Sequence, residues 1–275
     1  MRANKYVASA FEALAAASSI ATLLSFMFNI QFSVCWGIIT LLVIGLITLV
    51  YAEYQNRKIK TITIPINNHT ELTIEEADLF SRSGIILIPV NEYFDVHVGD
   101  GVVDPNSIHG RFINEIWSGD AEDLYQTYIR TSLARVPNMF LETVDRGRWY
   151  CHGDKYKLGT CVDIQRNDKT YVLFALTHFD NQNHAYLTRT EYHDVLISLL
   201  KHVSGICESQ TVCMPLFGTG LSRLQSKTTQ ILHYMIDCLR FECHNMNLLG
   251  GLRIRIWSLD DADIDLNIIK EIFKD

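Results

Sequence analysis

No charged side chain interrupts the sequence from Ala13 to Ala52, a run long enough for two membrane passes of about 20 residues and too long for one straight helix. Polar groups break it at Asn29-Ile30-Gln31-Phe32-Ser33, which predicts a reversal there, with helices over Ala10–Phe28 and Val34–Tyr51. Arg2 and Lys5 precede the first segment, Arg57, Lys58 and Lys60 follow the second, and the turn carries no charge. The positive-inside rule then predicts a multi-pass membrane protein with both termini cytoplasmic. A cleaved signal peptide is the competing reading of the first segment, and it leaves the second apolar run as a span. Ala13, Ala17, Ala21 and Ser25 recur every four residues, a small-residue ridge that suits packing against the second helix or between subunits.

Beyond Lys60 the period changes. Ile62, Ile64 and Ile66 alternate with polar residues, Asn67-Asn68-His69 marks a turn, and Leu72 and Ile74 resume the alternation, which predicts a β-hairpin. Gly84 to Val90 is a continuous apolar run of the kind that forms a strand buried on both faces, and it ends in the polar Asn91-Glu92. Helices are predicted over Asp120–Ser132, Arg189–Val203 and Ser226–Glu242, and strands over Gly159–Ile164, Tyr171–Thr177, Thr211–Met214 and Arg253–Trp257. Alternating strands and helices define an α/β domain. The division expected is 1–58, a two-helix hairpin with a short linker, and 59–275, a single α/β domain.

Charge and cysteine usage narrow the chemistry. A net charge of -7 and the lack of a basic cluster interleaved with aromatics argue against a nucleic-acid partner. Seven cysteines with no C-x-x-C pair and no ligand spacing among ten histidines predict free thiols, a reducing compartment and no metal.

Two glycine turns follow apolar strands. Pro215-Leu216-Phe217-Gly218-Thr219-Gly220-Leu221 lies between a strand and a helix, where backbone N–H groups and a helix N-terminus favour phosphate; taken alone, it reads better as an ordinary strand-to-helix turn. Val98-Gly99-Asp100-Gly101-Val102-Val103 leads through Ser107 and Gly110 into a further helix, and its alternative is a tight hairpin turn. Glu92 and Asp95 are read as solvated loop carboxylates rather than an acid/base pair. His109, His178 and His184 are read as hydrogen-bonded to their surroundings. No serine or cysteine has a neighbouring base, so no catalytic residue is assigned.

In order and spacing, Asp78-Leu79-Phe80, Ile88-Pro89-Val90-Asn91, Gly99-Asp100-Gly101-Val102 and Phe217-Gly218-Thr219-Gly220 resemble the macro domain. The resemblance implies a three-layer α/β/α fold around a mixed sheet and an ADP-ribose-like ligand. In it Asp78 takes the adenine amino group, Leu79 lines the adenine slot, the two glycine turns hold the diphosphate, and Phe217 lies beside ribose and diphosphate. Val90, Asn91, Glu92, Phe94, Gly99, Asp100, Gly101, Val102, Leu216, Gly218, Thr219, Gly220 and Leu221 complete the implied site. From the residues alone, Asp78 reads equally well as a strand-end cap. With the apolar N-terminal run, Val90-Asn91-Glu92-Tyr93-Phe94-Asp95, Leu158-Gly159-Thr160 and Ala175-Leu176-Thr177-His178-Phe179-Asp180 look like the transmembrane-macro effectors of bacterial Thoeris anti-phage defence. That likeness implies a signal made by a TIR-domain enzyme, such as histidine-ADP-ribose, no other cofactor, self-assembly, lipid contact, and location in and damage to the bacterial inner membrane. Macro hydrolases carry V-N-x-x-N, whereas Phe94 stands at the second Asn, which favours a receptor over an enzyme. Asp100 interrupts an otherwise all-glycine loop and is read as a specificity residue. A membrane-tethered ADP-ribosyl hydrolase and a reader of ADP-ribosylated proteins are the alternatives.

Overall fold

The computed structural model describes residues 12, 15, 18, 19, 22, 23, 43, 45–51 and 58–273, apart from 82, 149, 221–223, 244, 245 and 247. Two compact units divide the chain, Met1–Ile59 and Lys60–Asp275. In the first, every described residue from 12 to 51 is helical. Among the described residues no helix is long and apolar enough to cross a membrane. The expectation of a multi-pass inner-membrane protein is corrected accordingly; the spans at 10–28 and 34–51 lie mostly outside the described residues.

In the second unit, β1 (Thr61–Pro65) and β2 (Glu71–Glu76) form the predicted antiparallel hairpin, with Thr63 opposite Thr73. Further strands are β3 (Ile85–Asn91), β4 (Phe140–Thr143), β5 (Asp154–Tyr156), β6 (Cys161–Arg166), β7 (Lys169–Phe179), β8 (Ala185–Tyr186), β9 (Val212–Pro215) and β10 (Leu252–Ile256). The main sheet runs β1-β2-β10-β9-β3-β7-β6, with β8 paired to β7, while β4 and β5 make a separate ribbon. Contacts from β2 through β7 are parallel, and both outer pairs are antiparallel. The inner strand β3 is almost wholly buried, as its unbroken apolar run requires.

Among the described residues, five helices longer than a single 3-10 turn accompany the sheet. Helix α1 starts as Ile108–Arg111 and continues as a π-helical stretch, Phe112–Trp117. Helix α2 (121–133) also has a π-helical middle, Leu124–Ile129. Helices α3 (Arg189–Ile206), α4 (Thr228–Glu242) and α5 (Leu266–Ile272) follow. Alternation along β3 and β7 separates two cores. Ile86, Ile88, Val90, Leu173 and Ala175 pack with Phe112, Leu124 and Ile129 of α1 and α2. On the other face, Phe174 meets Phe217, which meets Tyr192 of α3.

Two features open this sheet at one end. Strands β3 and β9 pair only at Ile85–Val212 and Ile86–Cys213, so their carboxyl ends are free to part. The chain leaves β3 for the edge strand β6, returns through β7 beside β3, and then crosses over β3 to β9, the reversal of strand order at which α/β sheets form crevices. A bulge sharpens the opening: Val90 faces Ala175 but Asn91 faces Thr177, leaving Leu176 as the extra residue.

Candidate functional site

A cavity of about 410 Å³ lies outside the ends of β3, β7 and β9. Pro89, Val90 and Asn91 form its floor with Leu176 and Thr177; Val102, Val103, Asp104 and Asn106 to His109 form one wall, and Leu216 to Gly220 the other. A second cavity of about 460 Å³, lined by Gly99 to Asn106, Phe179 and Asn183 to Ala185, shares Val102, Val103, Asp104, Asn106, Phe179 and Ala185 with the first. Through these shared residues the two cavities adjoin as two stretches of a trough; Leu216 to Gly220 line the first stretch and Gly99 to Gly101 the second.

In the second stretch, Gly99, Asp100 and Gly101 all have positive φ (107°, 48° and 73°). The Val102 N–H donates to Gly99 O at 2.9 Å, closing the turn, and Arg148 donates to Asp100 O at 2.9 Å. The Asp100 carboxylate lies 2.9 Å from His97 Nε2, so its exposed side chain already has a partner. Ser107 caps α1 by accepting from Gly110 N at 3.0 Å. The N–H groups of Ile108 and His109, in the first turn of α1, have no hydrogen-bond partner among the described residues, an arrangement suited to an anionic group. His109 is buried, and burial alone pushes its pKa down to about 3, so it lines the trough as a neutral imidazole.

On the second wall, Gly218 has φ +88°, and a Cβ there would lie 2.8 Å from Tyr192 Cε2. The Tyr192 hydroxyl donates to Phe217 O at 3.1 Å, tying the turn to α3, and Thr219 Oγ1 donates to Leu216 O at 3.1 Å. Phe217 itself is buried against Phe174 and Tyr192. The helix expected from Ser226 is α4, which begins at Thr228, and residues 221–223 between it and the turn lie outside the described residues. Leu221 lies outside the described residues.

At the end of β3, Asn91 supports a turn. Its Oδ1 accepts from Tyr93 N at 3.0 Å and Asp95 N at 3.3 Å, and its Nδ2 donates to Asp95 Oδ2 at 3.1 Å. Phe94, with φ +53°, is fully buried in the apolar core rather than on the trough wall. Glu92 and Asp95 are buried as well, which corrects their reading as solvated carboxylates. Both are compensated by charge: Glu92 Oε2 lies 2.5 Å from His178 Nδ1, and Arg146 Nη1 donates to both Asp95 oxygens at 2.8 and 2.7 Å. The hydrogen bond to Glu92 raises the pKa of His178, against burial and with help from Glu191.

Asp78 and Leu79 line neither stretch of the trough. Leu79 is buried in the core, and Asp78 Oδ1 accepts from Arg111 Nη1 at 3.2 Å. The sequence reading missed Arg111, Arg146 and Trp257, and placed Ser107 ahead of a helix without its role as the α1 cap. Only Ser107 carried a local sign, a serine just ahead of a helical run; the arginines act across 33 and 51 residues of sequence.

A parallel-centred mixed sheet between helices, with glycine turns flanking a trough at its carboxyl edge, is the macro-type α/β fold. A macrodomain variant from Oceanobacillus iheyensis, solved with ADPR, matches at a TM-score of 0.50 and 14% identity, covering 78% of this chain and 100% of its own. The same bacterium's macrodomain with MES bound matches at 0.50 and 13%, covering 78% and 97%. More narrowly, the family model described as Thoeris protein ThsA, Macro domain, matches residues 72–257, and the chain belongs to that family. A curated relative, the Thoeris protein ThsA of Bacillus amyloliquefaciens (strain Y2), is 24% identical over 264 residues, which cover 94% of this chain and 86% of that protein.

Proposed function

We propose that the chain is a receptor for an ADP-ribose derivative, histidine-ADP-ribose from a TIR-domain enzyme being the leading form, and that the bound ligand drives self-association. The observation that carries this reading is the pair of glycine turns in adjoining stretches of the trough, with the unpaired α1 amides in the stretch lined by Gly218, a combination suited to a diphosphate. Two features favour a receptor over a hydrolase. The Asn91 amide is spent on holding the 91–95 turn, and Phe94, at the position of the second Asn of V-N-x-x-N, points into the core. Self-association follows only if the assembled state binds ligand more tightly than the free chain does.

The test incubates the purified full-length chain with ADP-ribose or histidine-ADP-ribose and measures mass by light scattering and ligand integrity by mass spectrometry. Intact ligand with increased mass supports a ligand-gated effector. Conversion of histidine-ADP-ribose to histidine and ADP-ribose makes the protein a hydrolase, and unchanged mass with bound ligand removes the assembly step.

A further inference from the structure

One turn along α1 from the unpaired Ile108 amide, about 4.5 Å at 1.5 Å per residue, lies Arg111. Its guanidinium is within cation–π reach of two aromatic rings, 5.2 Å from the centroid of Phe80 and 5.2 Å from that of Trp257. Its Nη1 donates to Asp78 Oδ1 at 3.2 Å. The remaining edge is held by Glu115, which accepts from Nε at 3.1 and 3.2 Å and from Nη2 at 3.0 Å. The turn bearing Asp78 and Phe80 is fixed from below: buried Arg255 donates to Leu79 O at 3.1 Å and pairs with Glu75 at 3.0 Å. Trp257, by contrast, is 70% exposed, with the guanidinium as its aromatic-face partner.

These surroundings suit a flat group with hydrogen-bond donors on its edge: aromatic rings for its face and a carboxylate for the donors. A guanidinium meets that description, and so does an amino-substituted heteroaromatic base. We propose that Arg111 is a built-in competitor for the base end of the nucleotide, occupying the place between Asp78, Phe80 and Trp257 that an aminated base takes once the side chain retreats to Glu115. The proposal rests on the receptor reading and adds to it a residue that opposes binding. Glu115 is what makes the exchange feasible, because Arg111 keeps a carboxylate partner after leaving Asp78. Apparent affinity is then lowered by the fraction of molecules in which Arg111 holds the place.

The test titrates full-length wild type, R111A, E115Q and W257A with ADP-ribose and with the base-free probe di(ribos-5-yl) diphosphate. The contacts Arg111 makes to Asp78 and the rings predict a roughly threefold to tenfold tighter binding of ADP-ribose by R111A, and no change for the base-free probe. E115Q, which leaves Arg111 only Asp78 as a carboxylate partner, is expected to bind ADP-ribose more weakly, so the two single changes move in opposite directions. W257A weakens ADP-ribose alone. Binding of ADP-ribose that R111A leaves unchanged or weakens overturns the competitor and leaves the receptor intact. Failure of wild type and R111A to bind either probe overturns both.

Discussion

Replacing Gly218 by alanine separates two costs that glycine avoids at this turn. The backbone cost arises from φ +88°, where an L side chain collides with its own carbonyl; left-handed conformation costs roughly 1–2 kcal/mol. The packing cost arises because the new Cβ lies 2.8 Å from Tyr192 Cε2 and 3.4 Å from Leu224 Cδ2. Tyr192 has little freedom to move aside, since it is buried and its hydroxyl is bonded to Phe217 O. Overpacking of this kind adds about 1–3 kcal/mol, for a total of roughly 2–5 kcal/mol. Gly101 is the control: its φ is +73°, but a Cβ there meets no atom within 4 Å, so G101A carries only the backbone cost of roughly 1–2 kcal/mol. Urea unfolding of wild type, G101A and G218A gives both values from the midpoint shifts, and unchanged slopes keep the comparison valid. G218A should be the less stable of the two and should lose ADP-ribose binding as the turn is pushed into the trough. Equal destabilisation by the two changes would refute the claim that Tyr192 sets the shape of the turn.

Truncating Arg146 in R146M strands the buried Asp95 carboxylate, and the loss of stability should reach about 3–5 kcal/mol by chemical unfolding, with D95N/R146M recovering part of it. His109 takes up a proton near pH 6.5 when unfolded and only near 3 when folded. Wild-type stability should therefore fall as pH drops from about 6.5 towards 3, by up to about 1.4 kcal/mol per unit, and H109F should flatten that part of the profile. His178 has the opposite sign: its folded pKa is raised, so the stability it supplies is complete below about pH 6.5 and disappears as pH rises through the folded value. H178Q should accordingly cost more stability at pH 6 than at pH 9 in thermal unfolding.

Local periodicity carried much of this fold. The 61–76 hairpin, the apolar β3 and the amphipathic α3 and α4 were legible because each repeats one signal over several residues. Helix α1 was harder to bound: Pro105, Asn106 and Gly110 crowd its start, and its π-helical stretch departs from the 3.6-residue period. The β4–β5 ribbon is short, and β4 is exposed throughout, so it has no apolar alternation to read. At the site, the glycine turns were visible in sequence because positive φ selects glycine. The ion pairs behind them were not, since Arg146 meets Asp95 and Arg111 meets Asp78 only after the chain has folded. At the N-terminus the uncharged run predicted two spans, and the described residues contain none.

Calorimetric titration of the full-length chain with ADP-ribose tests the central claim most directly, with G218A alongside and the recovered nucleotide checked by mass spectrometry. A receptor predicts saturable binding of one nucleotide per chain, abolished or strongly weakened in G218A, with the nucleotide recovered intact. Heat that does not saturate, affinity that survives G218A, or a cleaved nucleotide would contradict it.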